Sequence, residues 1–302
     1  MKRLIAFVLL MLVAAPPDVY AQYLGPGDFE YPEVESDVRM SYGADSLQWG
    51  VLRVPDGPGP HPVVVMMHGG CWLGLHRPRH VEPLMEAVTD RGWATWNLSH
   101  RQAVDPQGGW RGTFEDVGAG IDHLRTMADA FELDTTRVVT MGHSAGGHLA
   151  IWAGSRDGYE PTDSLYTSNP LRLAGAISLG GIPDLDAHYR QEQNPCGDGV
   201  VQLLEGSPED VAHRYAEASP AERLPLGTPQ LFLHGRHDYV VPWQQVTTYA
   251  EAATAVGDRV QVHIFEDASH FEVIAPASEA WQKEIGEALM AWLGALEPVS
   301  AY

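Results

Sequence analysis

Lysine is almost absent from this 302-residue chain, which has two, Lys2 and Lys283. Its 19 basic residues face 40 carboxylates, for a formal net charge of −21. So acidic a surface repels polyanions, which argues against nucleic acid or an anionic membrane as a partner. Metal-ligand signatures are missing too. The 14 histidines and two cysteines form no H-E-x-x-H and no C-x-x-C, so neither metal nor cofactor is expected. Long apolar runs are scarce. One covers Leu4 to Ala15, short of the roughly 20 residues a bilayer span needs. Repeats, low-complexity tracts and flexible interdomain linkers are likewise missing. The remaining sequence is long and apolar enough for one domain with a sizeable core.

The start of the chain reads as a targeting segment rather than as structure. Met1-Lys2-Arg3 is basic, the run Leu4–Ala15 follows, and Pro16-Pro17 breaks it. Val19-Tyr20-Ala21 then offers small residues at the positions that set cleavage. The expectation is a signal peptide, residues 1–21, cut after Ala21, and a single domain over 22–302 that is secreted or periplasmic without a membrane anchor. An oxidising compartment would allow Cys71 and Cys196 to pair, though spacing alone does not show that they meet.

Along that domain, strand-like and helix-like segments alternate. Strands are expected over Ser46–Val54, Pro62–Met67, Ala94–Leu98, Arg137–Met141, Leu173–Leu179, Gln230–His234 and Val260–Phe265. Helices are expected over Val81–Arg91, Phe114–Phe131, Val246–Val256 and Ala277–Leu293. Such alternation predicts an α/β fold with a mostly parallel central sheet and helices on both faces. Active sites of such sheets lie beyond the carboxyl ends of the strands. Two polar, Pro- and Gly-rich stretches, about 158–170 and 183–225, interrupt the alternation and are expected to be small cap insertions.

Gly142-His143-Ser144-Ala145-Gly146 carries the most chemical information. It follows the apolar strand Arg137–Met141 and opens the small-residue helix beginning Gly147-His148-Leu149. Strand, G-x-S-x-G and helix make a nucleophile elbow, a turn so tight that larger flanking residues would clash. A serine hydroxyl is a weak nucleophile until an imidazole takes its proton. His270, just after the last strand, is the expected base, and Asp238, after the preceding strand, the expected acid. Asp267 and His237 compete for these roles but are read as loop residues. An oxyanion needs backbone donors. His68-Gly69-Gly70-Cys71-Trp72 follows the Pro62–Met67 strand, and Gly69, Gly70 and the N–H of Ala145 are the expected donors. Cys71 is a further candidate donor, and His68 is read as a brace for the loop. Trp72 and Trp110 are candidates for lining a substrate pocket, with core packing an equal claim on each. His143 and His148 are read as packing or hydrogen-bonding residues.

These motifs resemble the α/β-hydrolase superfamily from about Ser46 to Leu293. His68-Gly69-Gly70-Cys71-Trp72 and Gly142-His143-Ser144-Ala145-Gly146-Gly147 are similar to its H-G-G-x-W branch, which holds kynurenine formamidases, small carboxylesterases and acetyl- or feruloyl-xylan esterases. His270-Phe271-Glu272 resembles the H-F-[DE] ending of formamidases. The resemblance implies the same Ser144, Asp238 and His270 triad. It also implies a structural role for Arg101, with Asp116 as its expected partner. A serine hydrolase of small-molecule carboxylic esters is the expected activity. An arylformamidase acting on an amide is the first alternative. A prolyl-oligopeptidase-like peptidase would bring a large N-terminal propeller, which the stretch from Gln22 to Ser46 has no room for. An inactive binding protein on this fold would typically lack a triad member.

Overall fold

A computed structural model describes residues 23–25 and 38–300, so the expected signal peptide lies outside the described residues. Eight strands form one sheet: β1 (Val38–Ser41), β2 (Trp49–Arg53), β3 (His61–Met67), β4 (Ala94–Leu98), β5 (Leu133–His143), β6 (Gly175–Leu179), β7 (Gln230–Gly235) and β8 (Val260–Phe265). Their order is β1-β2-β4-β3-β5-β6-β7-β8. The β1–β2 and β2–β4 pairs are antiparallel and all others are parallel. Around the sheet lie α1 (Glu82–Thr89), α2 (Gly112–Asp122), α3 (Leu124–Met127), α4 (Ala145–Ala153), α5 (Leu185–Tyr189), α6 (Gly199–Leu204), α7 (Ala212–Ala218), α8 (Trp243–Ala255) and α9 (Gly286–Gly294). The α/β-hydrolase fold is therefore present.

The period-2 geometry of a strand explains why the central strands are apolar throughout. Val63, Val65 and Met67 of β3 face one layer, with Phe114, Val117 and Ile121 of α2 and Leu149 of α4. Val64 and Met66 face the other, with Leu84, Met85 and Val88 of α1 and Leu289 and Leu293 of α9. Register aligns the carboxyl ends: Met67 pairs with Gly142, His143 with Leu179, and Leu179 with Leu233. The loops that follow these strands emerge along one edge.

Several element boundaries differ from the sequence expectation, each for an identifiable physical reason. Strand β1 is new. It is a four-residue edge strand whose Arg39 and Ser41 face solvent, so it carries little apolar signal. The helix expected over Phe114–Phe131 breaks at His123 and ends by Met127. Trp96 donates its indole N–H to the carbonyl of Gly120 at 2.9 Å, the acceptor that Leu124 would use in a continuous helix. The last helix opens as a π-helical turn over Trp281–Ile285 before α9. There Trp281 packs so closely that a Cβ on Gly286 would lie 2.9 Å from its indole nitrogen.

The 183–225 and 158–170 stretches are both tied to the rest of the chain. The 183–225 segment carries α5, α6 and α7, and a Cys71–Cys196 disulfide joins it to the loop after β3. The 158–170 segment is anchored through Tyr159, which accepts from the Trp152 indole at 2.8 Å and donates to the Glu217 carbonyl. Arg101 and Asp116 form the expected ion pair. Its two oxygens accept from Arg101 Nε and Nη2 and from Gln48, and Asp116 is fully buried.

Seven of the nine buried histidines, His68, His80, His100, His143, His148, His188 and His234, share one electrostatic feature. Burial is the main force holding each below the ordinary 6.5. For His148 and His188 it reaches about 4.

Two expectations follow from these buried groups. Unfolded histidines charge below about 6.5 while the folded ones stay neutral, so the unfolded chain binds more protons. Stability from this source is complete above about 6.5 and is lost as pH falls toward 4. Melting temperature should decline steadily from pH 6.5 to 4, and a flat profile over that range would refute it. Replacing Cys71 and Cys196 together by serine should lower unfolding free energy by about 2–5 kcal/mol, read by denaturant titration without reductant.

Candidate active site

Ser144 stands between the end of β5 and the start of α4, and is 3% exposed. Its backbone is at φ 56° and ψ −121°, a region that side chains disfavour and that persists only where neighbours enforce it. The neighbours here are main chain. A Cβ on Gly142 would lie 2.0 Å from the Gly146 carbonyl oxygen, and one on Gly146 would lie 2.2 Å from that of Met67. A Cβ on Gly147 would lie 2.8 Å from Gly181 Cα. The helix thus crosses the strands at a distance only glycine permits. The Ser144 N–H donates to the Leu179 carbonyl at 3.0 Å, tying the elbow to β6.

Asp238 and His270 meet at the same edge. His270 Nδ1 lies 2.8 Å from Asp238 Oδ2, and both side chains are almost wholly buried. The other carboxylate oxygen accepts the N–H groups of Val240 and Val241, each at 2.8 Å. His234 Nε2 donates to the Val241 carbonyl at 2.8 Å and lies 3.3 Å from Asp238 Oδ2. Burial alone would raise the Asp238 pKa. The charge of His270 and its hydrogen bond outweigh that, and the carboxyl sits below its ordinary value. A carboxylate only accepts, so the His270 Nδ1 that faces it carries a hydrogen, and Nε2 is the nitrogen turned away from Asp238. The two competitors lie elsewhere: Asp267 is exposed, and the His237 ring stacks on Tyr23 at 4.9 Å.

The loop after β3 is tightly wound. Gly70, Cys71 and Trp72 have φ of 112°, 53° and 59°, three successive left-handed residues. A Cβ on Gly69 would lie 3.2 Å from Ser144 Cβ, so this glycine sits directly against the elbow. His68 braces the loop. Its Nδ1 lies 2.9 Å from the Gly69 carbonyl oxygen, and its ring stacks on His100 at 4.7 Å. Ala145 is the first residue of α4, where the N–H groups and the helix dipole favour negative charge.

Trp72 is 1% exposed and donates its indole N–H to His148 Nδ1 at 3.3 Å. Its ring also meets His188 of α5 edge-on at 6.2 Å. Trp110 is half-buried among Phe114, His213 and Arg214, none of them a member of the Ser144–Asp238–His270 group. Gly180 escaped the sequence reading. At φ 55°, a Cβ there would come 3.2 Å from Asp238 Oδ2 and 3.3 Å from His270 Nδ1. The signal was a Gly180-Gly181 pair directly after a strand, the same pattern as Gly69-Gly70 after β3.

Comparison with known proteins agrees with this architecture. The BD-FAE family profile matches residues 52–252. The chain is 27% identical over 233 residues to Esterase LipC of Mycobacterium tuberculosis, covering 76% of this chain and 57% of LipC. It is 26% identical over 254 residues to the probable carboxylic ester hydrolase LipM of the same organism, covering 81% of this chain and 55% of LipM. The chain thus spans little more than half the length of these relatives. A solved structure of esterase Est2 from Thermogutta terrifontis superposes with a TM-score of 0.71 at 22% identity, over 91% of this chain and 99% of that one. A strained serine between β5 and α4, a profile match across most of the sheet and a shared strand architecture agree with one another: the chain belongs to the BD-FAE family, with the α/β-hydrolase fold.

Proposed function

We propose that the protein is a serine hydrolase that cleaves carboxylic esters through an acyl-enzyme, with Ser144 as nucleophile, His270 as base and Asp238 as orienting acid. The observation that carries this reading is the 2.8 Å contact of His270 Nδ1 with Asp238 Oδ2 at the strand edge that also holds the strained Ser144. The names of LipC and LipM, an esterase and a probable carboxylic ester hydrolase, favour the same class.

In the proposed cycle, His270 Nε2 takes the Ser144 hydroxyl proton as Oγ bonds to the ester carbonyl carbon. The carbonyl oxygen gains the negative charge, and the N–H groups of Gly69, Gly70 and Ala145 stabilise it. The tetrahedral species collapses, the C–O bond to the alcohol breaks, and His270 returns its proton to the leaving oxygen. Water then attacks the acyl-enzyme while His270 takes its proton. Collapse releases the acid and re-protonates Ser144. Throughout, Asp238 holds the Nδ1 proton in place and stabilises the imidazolium.

Within the same reading, the 183–225 segment acts as the cap and Trp72 and Trp110 supply pocket wall. The Cys71–Cys196 disulfide and the contact of His188 with Trp72 support the position of that segment over the loop after β3. Export with loss of residues 1–21 is part of the proposal. Among the described residues, no helix is long and apolar enough to cross a membrane.

Purified protein should hydrolyse short p-nitrophenyl esters, and Ser144→Ala should lower kcat by about 10⁴-fold or more. Turnover of N-formylkynurenine but of no ester would replace the reading with an amidase. Full ester turnover in Ser144→Ala would remove the nucleophile from it. Asp238→Asn should cost about 10⁴-fold in kcat, because an amide donor facing Nδ1 selects the wrong imidazole tautomer. A loss below about tenfold in kcat would reassign the acid.

A further inference from the structure

The base is held by more than its carboxylate. His270 donates its own N–H to Ser269 Oγ at 2.6 Å, and its carbonyl oxygen lies 2.9 Å from His143 Nε2. A carbonyl oxygen only accepts, so the His143 hydrogen sits on Nε2. Burial keeps His143 well below the ordinary range, hence neutral, so its Nδ1 carries a lone pair. That lone pair faces His80 Nε2 at 3.0 Å, which must therefore be the donor. The three groups form one directed chain from His80 to His143 to the carbonyl of His270. The chain is enclosed. The Phe271 ring packs 5.5 Å from His143 and 6.1 Å from His80, while His76 stacks flat on His80 at 4.0 Å.

His143 immediately precedes Ser144. Its bond to the His270 carbonyl is thus a strut from the residue beside the nucleophile to the main chain of the base. We propose that His143 is a positioning residue that sets the spacing between Ser144 and the His270 imidazole, and that His80 enforces the tautomer this requires. With the other tautomer, a lone pair of His143 would face the carbonyl oxygen of His270 and the strut would repel. The inference rests on the reading of Ser144 and His270 as nucleophile and base. His143 touches neither substrate nor a transferred proton. It acts through the placement of the base, where an error near 1 Å can cost about a hundredfold in rate.

The test compares His143→Leu, His143→Gln and His80→Leu in the full chain on p-nitrophenyl butyrate, with melting temperature measured for each. Leucine keeps bulk and removes the donor, whereas the glutamine amide can place an N–H near the lost Nε2. His143→Leu should lower kcat by about ten- to a hundredfold with KM within about twofold. His143→Gln should recover most of that loss. His80→Leu should lower kcat by a smaller factor, again with KM unchanged. A folded His143→Leu with wild-type kcat overturns the proposal, as does a His143→Gln no faster than His143→Leu. If His143→Leu does not fold, wild-type kcat in folded His80→Leu or a fall of about a hundredfold in folded His143→Gln overturns it instead. Ser144→Ala separates the two levels. Loss of turnover there with normal His143 variants sinks this inference alone, while retained turnover sinks the serine-hydrolase reading beneath it.

Discussion

The constraint on which the site depends is the crossing of α4 over the ends of β3 and β5. At Gly142 and Gly146, main chain meets main chain with no room for a single added carbon. That contact forces the backbone of Ser144 into its strained conformation and lifts the residue to the strand edge. It also sets the composition of α4, which is buried along its whole length and built from small and apolar residues rather than an amphipathic stripe. The loop after β3 and the turn after β6 close in on the same point through Gly69, Gly180 and Gly181. Strain at the serine is thus sustained by the packing of three neighbouring strand ends, not by a local device.

Around this point the protein uses imidazole as a structural material. Neutral histidine offers one donor and one acceptor on a flat, compact ring, which suits a dry interior where every polar atom needs a partner. His68 braces the loop after β3, His148 links Trp72 to the Ala218 carbonyl, and His234 backs the carboxylate of Asp238. The acidic net charge lies elsewhere, on the surface. There arginines pair with carboxylates, as Arg190 does with Asp186 and Glu209 and Arg236 does with Glu266.

Much of this was legible in the sequence because backbone sterics and strand periodicity leave local marks. The parallel strands β3 to β8 read as short apolar runs, and the elbow read from the spacing of its glycines. The loop glycines 69 and 70, the Arg101–Asp116 pair and the juxtaposition of Asp238 with His270 were reachable from position after a strand or from family resemblance. What was not legible depends on contacts distant in sequence. Strand β1 is recognisable as a strand only through its pairing with β2. The break at His123 comes from an indole that belongs to β4. His80, 63 residues before His143, has no sequence feature that aims it there. The meeting of Cys71 with Cys196 depends on α6 packing against the loop after β3, where a Cβ on Gly199 would lie 2.7 Å from the Cys71 carbonyl oxygen.

The disulfide closes a covalent ring across a sequence separation of 125 residues. Within the ring lie β4, β5, β6, α1 to α5 and Ser144; outside it lie Asp238 and His270. A single backbone cut within the ring, for instance in the polar 158–170 stretch, therefore leaves one covalent molecule. Such a nicked chain keeps its mass apart from one added water, and its two pieces separate only after reduction. Ser144 remains bonded to the body that carries Asp238 and His270, in a segment where proteolysis would otherwise divide the molecule.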